Sequence, residues 1–363
     1  MKPVRYAVVG LGFISQLTVL PAFANAKRNS RLAALVSGDA AKRRALGKLY
    51  GVPTYSYDEF DALMKSGDID AVYIGLPNHL HREYTIRAAR AGVHVLCEKP
   101  LAVTEADCKA MIAACKRGRV KLMTAYRLHF ERATLRAIRI VRDGSIGDAR
   151  LFSSCLSFRL TKANVRLMKS SEGGGPLYDI GVYCINAVRH LFGAEPIEAY
   201  ATLTHSRKRG WKAEESASCV LRFPGDRLAS IQVSFATAST GDYRVVGTKG
   251  TLRAAPAYGF SESLRLVLAS RGKEKRFEFG RSDHFGPQLI HFSDCIRHRR
   301  EPGPSGEEGL ADVRIIRALF KSAATGKPVR LAPRRARPAP PLSQRITRPP
   351  VRYTPMVRAQ PPR

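Results

Sequence analysis

The sequence predicts an α/β protein of two domains. A doubly wound parallel sheet comes first, and an α+β domain with an open, mostly antiparallel sheet follows. Three observations carry this expectation. Short apolar runs alternate with helical stretches over roughly the first third of the chain. From about residue 148 the pattern changes to long, partly alternating strands. The 363 residues also exceed what one core of roughly 250–300 residues holds.

Residues 4–10 (VRYAVVG) form an apolar run ending in glycine, the pattern of a buried parallel strand. A helix is expected over 15–26, a strand over 31–38, and a basic helix over 40–50 stopped by Gly51. Residues 58–65 read as another helix, 69–77 as a strand ending in a loop, and 81–91 as a helix capped by Gly92. Residues 93–100 (VHVLCEKP) are a strand, 104–116 a helix with Thr104 as N-cap, and 120–127 the last strand of the series. Right-handed crossovers then place any ligand beyond the carboxyl ends of the strands. The second pattern begins with a helix at 130–143 and a strand at 148–160. A charged, glycine-rich loop and a helix at 177–192 come next. Strands are expected at 198–205, 216–223, 228–236, 243–246, 251–254 and 264–269. Helices at 284–298 and 307–325 close the fold. The domains are therefore drawn at 1–126 and 127–331. Beyond Pro333 the Pro/Arg-rich tail, 332–363, has too few apolar residues to pack and reads as disordered.

Composition excludes several classes. Hydrophobic content is 44% and charged content 25%, as in globular proteins. No apolar run approaches the roughly 20 residues of a membrane span. The chain goes almost at once into its first strand, without signal-peptide regions, which reads as cytoplasmic. The seven cysteines are scattered and form no CxxC pair, which argues against a disulfide framework and against a metal site. The net charge of +31 favours anionic partners, but much of it lies in the tail and the remainder on solvated helix faces.

Gly10-Leu11-Gly12-Phe13-Ile14-Ser15 fits G-x-G-x-x-G/A except at its last position. Gly10 permits the tight turn. Gly12 leaves room for a pyrophosphate, whose charge sits at the N-terminus of the helix that Phe13 and Ile14 open. The motif follows a strand and opens a helix, the context of a Rossmann dinucleotide site. The end of the second strand reads Val36-Ser37-Gly38-Asp39, then Lys42-Arg43-Arg44. Ser37 with Lys42 or Arg43 suits the 2′-phosphate of NADP; Asp39, turned toward the ribose, would suit NAD instead.

Further motifs go beyond a generic dinucleotide fold. Cys97-Glu98-Lys99-Pro100 ends a strand, and Gly173-Gly174-Gly175-Pro176-Leu177-Tyr178-Asp179-Ile180-Gly181-Val182-Tyr183 precedes and enters a helix. With Leu76-Pro77-Asn78-His79 and Ala125-Tyr126-Arg127 they resemble the Gfo/Idh/MocA oxidoreductases, nearest to the glucose–fructose oxidoreductase branch. The likeness runs from Gly10 to Val329. It implies that Lys99 lies at the nicotinamide and moves the hydroxyl proton, with Pro100 as a cis-proline. It implies that Asp179 orients substrate, and that Tyr183 stands where many members have histidine. Leu76, Pro77, Asn78, His81 and Glu98 would line the cofactor, and Arg127 would approach its nicotinamide end. Ser37 and Lys42 match the branch's 2′-phosphate residues. The loop Asn164-Val165-Arg166-Leu167 lacks the tryptophan of close relatives, although Arg166 would still reach the sugar.

Chemistry supports these roles. Oxidising an alcohol needs a base for its proton and an acceptor for its hydride. Asp179 and Tyr183, four apart on a helix, share a face. The resulting expectation is an NADP(H)-dependent sugar or polyol oxidoreductase; the resemblance further implies a homo-oligomer (dimer or tetramer) through the outer face of its second sheet. Alternatives are a keto-sugar or dicarbonyl reductase, a dihydrodiol-type dehydrogenase and a non-catalytic NADP(H)-binding sensor or scaffold. No sequence-specific nucleic-acid motif is present, so any nucleic-acid binding by the tail is expected to be non-specific and salt-dependent.

Overall fold

The computed structural model describes residues 2–161, 165–205, 211–336 and 338–359. The chain divides into two compact units. Of the described residues, the first comprises those within 2–127, 282–310 and 347–359, and the second those within 128–281 and 311–346.

In the first unit, β1 (Val4–Val9), β2 (Ser30–Val36), β3 (Thr54–Tyr55), β4 (Ala71–Ile74), β5 (His94–Cys97) and β6 (Leu122–Thr124) form a parallel sheet in the order β3-β2-β1-β4-β5-β6. This is the doubly wound order, whose crossovers reverse between β1 and β4. Tyr6, Ala7, Val8 and Val9 are fully buried, because helices cover both faces of such a sheet. The helix Ala40–Tyr50 has Asp39 as its N-cap and ends on Gly51 in the left-handed region, while Thr104 caps Glu105–Arg117 by accepting from the Asp107 amide.

The sequence placed residues 282–310 in the second domain, but they pack with the first unit. The helix Gly286–Arg297 lies against Leu20–Ala26. The Tyr6 hydroxyl meets Ser293 Oγ at 2.8 Å, and Asn29 donates to the Ile290 carbonyl and to Asp294. The apolar face of this helix carries Leu289 and Phe292, both buried, so it covers the sheet like any Rossmann helix. The tail also departs from expectation. Among its described residues the only regular element is a 3₁₀ turn, Leu342–Gln344, but those from 347 to 359 lie against the first unit with defined hydrogen bonds.

In the second unit, β7 (Ala149–Ser157), β8 (Glu198–Thr204), β9 (Ser216–Phe223), β10 (Arg227–Ser234), β11 (Thr240–Gly247), β12 (Gly250–Ala254), β13 (Leu264–Ser270), β14 (Lys273–Phe279) and β15 (Val329–Arg330) form one sheet. Its order is β14-β13-β12-β11-β7-β10-β9-β8-β15, antiparallel except where β10 pairs with β7. Phe152, Ile231 and Leu221 point to a buried face on which the helix Val182–Phe192 packs. Leu151, Tyr200, Val220 and Leu228 point the other way and are 40 to 49% exposed. β14 was not among the expected strands. Its run KEKRFEF alternates charges, as an edge strand facing water can. The seven cysteine thiols are free, six of them buried. Among the described residues no helix is long and apolar enough to cross a membrane.

Candidate active site

The expected cofactor residues of the first unit lie along the carboxyl edge of its sheet. Gly10 follows β1, Ser37 follows β2, Leu76 and Pro77 follow β4, Glu98 and Lys99 follow β5, and Arg127 lies just past β6. Gly10 has φ +90°, and a Cβ there would stand 2.6 Å from the Gly75 carbonyl oxygen. It is glycine because β1 and β4 approach so closely at the switch point. A Cβ on Gly12 would meet nothing within 4 Å, so space lies open in front of the helix that begins there. Ser15, the departure from the motif, donates its hydroxyl to the Gly10 carbonyl at 2.6 Å and holds the turn. Helix geometry widens to a π turn over Ser15–Val19, a feature frequent at functional sites. These features fit a dinucleotide pyrophosphate: open space, a glycine turn and a helix N-terminus with amides to offer.

At the end of β2, Asp39 accepts from the Ala41 and Lys42 amides at 2.9 and 3.2 Å. The Lys42 amide, then that of Ala41, and the nearby Arg358 hold its carboxyl below the usual range. Its role as N-cap accounts for the aspartate without a ribose. The buried Ser37 accepts from the Asp39 amide, and Arg43 donates to the Ser37 carbonyl at 2.6 Å. This edge is therefore basic, with Lys42 and Arg43 beside a neutral serine.

His81, expected against the cofactor, is fully buried. Its Nε2 lies 2.9 Å from the Leu76 carbonyl and its Nδ1 lies 3.0 Å from that of Pro100. Burial lowers its pKa. The ring thus ties together the two segments that carry Leu76 and Lys99, a positioning part that motif proximity does not reveal. The Lys99–Pro100 bond is cis, as the resemblance implies. Glu98, half-buried, accepts from the Lys99 amide at 3.1 Å and from the Tyr73 hydroxyl. Desolvation raises its carboxyl pKa, opposed first by the charge of Lys99. Arg127 is buried, its guanidinium 3.1 Å from His284 Nδ1 and above the Phe285 ring.

In the second unit, Asp179 and Tyr183 lie on one helical run, a π turn over Leu177–Gly181 continued by Val182–Phe192. Arg166 donates from Nε to Asp179 at 2.6 Å, with both side chains about one-fifth exposed. The Gly175 amide donates to the Arg166 carbonyl at 2.7 Å, fixing that loop to the glycine run. Asn164, which precedes it, lies outside the described residues. Tyr183 packs against Tyr258, ring centroids 6.4 Å apart.

Two supports of this run carry no mark in the sequence. Glu214 accepts from the Leu177 amide at 3.1 Å and from Ser170 at 2.8 Å; burial raises its pKa. A Cβ on Gly175, at φ +96°, would fall 2.2 Å from the Glu214 carboxylate. At the far end, Arg189 is buried between Glu195 and Asp312, with Nη1 2.7 Å from Asp312. No short motif marks these carboxylates: Glu214 and Asp312 contact the run from distant chain positions, and Glu195 lies just past its end.

A parallel sheet of this order with a glycine turn defines a dinucleotide-binding class. The comparisons name the family. Residues 4–126 match the oxidoreductase family, NAD-binding Rossmann fold, and residues 134–253 match the Gfo/Idh/MocA C-terminal domain. The chain belongs to the Gfo/Idh/MocA oxidoreductases. It is 32% identical to D-xylose 1-dehydrogenase (NADP(+)) 2 of Haloferax volcanii, over 90% of this chain and 99% of that one. It is 39% identical to the aldose–aldose oxidoreductase of Caulobacter crescentus, solved with glycerol, at a TM-score of 0.86. That match covers 91% of this chain and all of that one. A 3-ketoreductase of Actinomadura kijaniata, solved with NADP and TDP-benzene, gives a TM-score of 0.81 at 25% identity, covering 88% of this chain and 98% of that one.

Proposed function

We propose that the protein transfers a hydride reversibly between NADP(H) and a hydroxyl-bearing carbon of a sugar or polyol. The observation that carries the reading is that Lys99 stands at the carboxyl edge of the same sheet whose first turn is open in front of Gly12. Relatives named as a D-xylose dehydrogenase and an aldose–aldose oxidoreductase support the substrate class, and the basic edge around Ser37 supports NADP.

Bound NADP supplies the hydride acceptor at its nicotinamide and, once reduced, the donor. Gly10, Gly12, Phe13 and Ile14 present the turn and helix amides to the pyrophosphate. Ser37 and Lys42 hold the 2′-phosphate, while Leu76, Pro77, Asn78 and Glu98 line the groove and Arg127 serves its nicotinamide end. The alcohol proton leaves to the Lys99 amine or to the Tyr183 oxygen, and returns from them in the reverse direction. Asp179, steadied by Arg166, orients the sugar hydroxyls, and Arg166 donates to the sugar. The exposed apolar residues Leu151, Leu228, Val220 and Tyr200, two cross-strand pairs on one face of the sheet, pack against a second copy of the chain.

A panel of aldoses, ketoses and polyols, each with NADP+ and NAD+, tests this reading by the near-ultraviolet absorbance of reduced nicotinamide. At least one aldose should reduce NADP+ faster than NAD+. Absence of turnover with every sugar and polyol would overturn the substrate class.

A further inference from the structure

The arginine-rich tail does not stand free of the first unit. Asn25 donates to the Pro349 carbonyl at 2.8 Å, and the Asp283 amide donates to the Arg348 carbonyl at 3.0 Å. Further on, the Tyr50 and Thr354 hydroxyls lie 3.3 Å apart. The chain is then clipped at Val357. Its amide donates to Gln16 Oε1 at 2.8 Å, and its carbonyl accepts from Gln16 Nε2 at 2.9 Å. Gln16 is itself buried, in the first turns of the fingerprint helix. The next residue, Arg358, turns through the left-handed region at φ 46° and brings Nη1 to 3.5 Å from Asp39.

These contacts converge on one place. Gln16 marks the start of the helix after Gly12, and Asp39 marks the end of β2. In a site of this class the adenosine ribose lies between those two features. The contact with Asp39 is long, and the Arg358 side chain is 68% exposed, so it holds the guanidinium only weakly. Asp39 is already committed to the Ala41 and Lys42 amides. A phosphate dianion a few ångströms away would offer the guanidinium a stronger, two-point partner.

We propose that the C-terminal tail is a strap across the adenosine end of the dinucleotide groove and that Arg358 is a 2′-phosphate-binding residue. The proposal rests on the NADP(H) reading above. The Gln16 clip fixes the backbone, and the left-handed turn at Arg358 aims its side chain at the Ser37–Asp39 edge. Lys42 and Arg43 approach that edge from the helix Ala40–Tyr50, and Arg358 from the tail. The dinucleotide's 2′-phosphate would thus be enclosed by cations from two separate parts of the chain.

Binding titrations of the full chain with NADP+ and NAD+, followed by calorimetry, test the strap without relying on turnover. Arg358→Ala should weaken NADP+ about tenfold and leave NAD+ within about twofold, because only NADP+ carries the phosphate. Arg358→Lys should recover part of the loss. Val357→Pro deletes the amide that Gln16 accepts while keeping Arg358, and it should show the same selective loss. Wild-type preference for NADP+ kept in full by Arg358→Ala or by Val357→Pro overturns the strap and leaves the cofactor reading standing. A wild-type chain that binds NADP+ no better than NAD+ overturns both.

Discussion

Gly10 and Gly12 are glycines for different reasons, and the two substitutions should therefore fail differently. Gly10 has φ +90° and a carbonyl oxygen where its Cβ would go, so Gly10→Ala should lower the melting temperature by several degrees. Gly12 faces open space, so Gly12→Ala should melt within about 2 °C of wild type yet bind NADP+ at least about tenfold more weakly. Calorimetric melting beside dinucleotide titration separates the two; a Gly12→Ala chain with undiminished binding would remove the pyrophosphate from this turn. Other residues show where sequence reading stops. Gly10 and Gly12 are legible in the glycine motif and the strand-end position of Lys99 in Cys97-Glu98-Lys99-Pro100, because each depends on local backbone geometry. Ser15 looked like an imperfect third glycine, yet its hydroxyl closes the turn. Asp39 suits either ribose or helix in the sequence, and its two amide partners make it the N-cap; His81 follows a motif but points into the core.

At the scale of elements, the helical run carrying Asp179 and Tyr183 depends on a carboxylate that no pattern announces. Burial raises the folded pKa of Glu214 above its ordinary value of 4.5, opposed by its bonds from Ser170 and Leu177. An unfolded chain releases that proton near pH ~4.3. Between the two values the unfolded state binds fewer protons than the folded state. The contribution is full below the unfolded pKa and is lost as pH rises through the folded one. Glu214→Gln removes the titration and keeps an acceptor for the Leu177 amide. Its melting temperature relative to wild type should therefore rise as pH is raised from about 4 to 8. A difference that stays flat across that range would contradict the buried, proton-holding carboxyl. Helices and central strands of both units were legible from apolar periodicity and glycine stops. β14 was not, because its charges read as loop, and the helix Gly286–Arg297 was assigned to the wrong unit because periodicity does not say which sheet a helix covers.

At the scale of the whole molecule, two surfaces account for features that no single element explains. The charge of +31 is concentrated partly in a tail whose arginines include Arg348 and Arg358, both engaged with the first unit. Composition alone read that tail as disordered, because low apolar content excludes a core but not a strap held by hydrogen bonds. On the second unit, Leu151 and Leu228 are cross-strand neighbours on the exposed face of the sheet, with Val220 and Tyr200 beyond them. Isolated exposed leucines are ordinary; these four, two cross-strand pairs set diagonally on neighbouring strands, make up the face proposed above to pack against a second copy. Leu151→Asp combined with Leu228→Asp should convert an oligomer to monomers in light scattering, while the far-ultraviolet circular dichroism stays unchanged. A wild-type chain that is already monomeric at micromolar concentration would contradict that assignment. The central claim concerns the proton taken from the alcohol, and Lys99→Ala tests it most directly when NADP+ binding and sugar-dependent NADP+ reduction are measured on the same sample. The account predicts binding within a few-fold of wild type and a turnover rate lower by about 10²–10⁴. Sugar oxidation at the wild-type rate by that variant would contradict it.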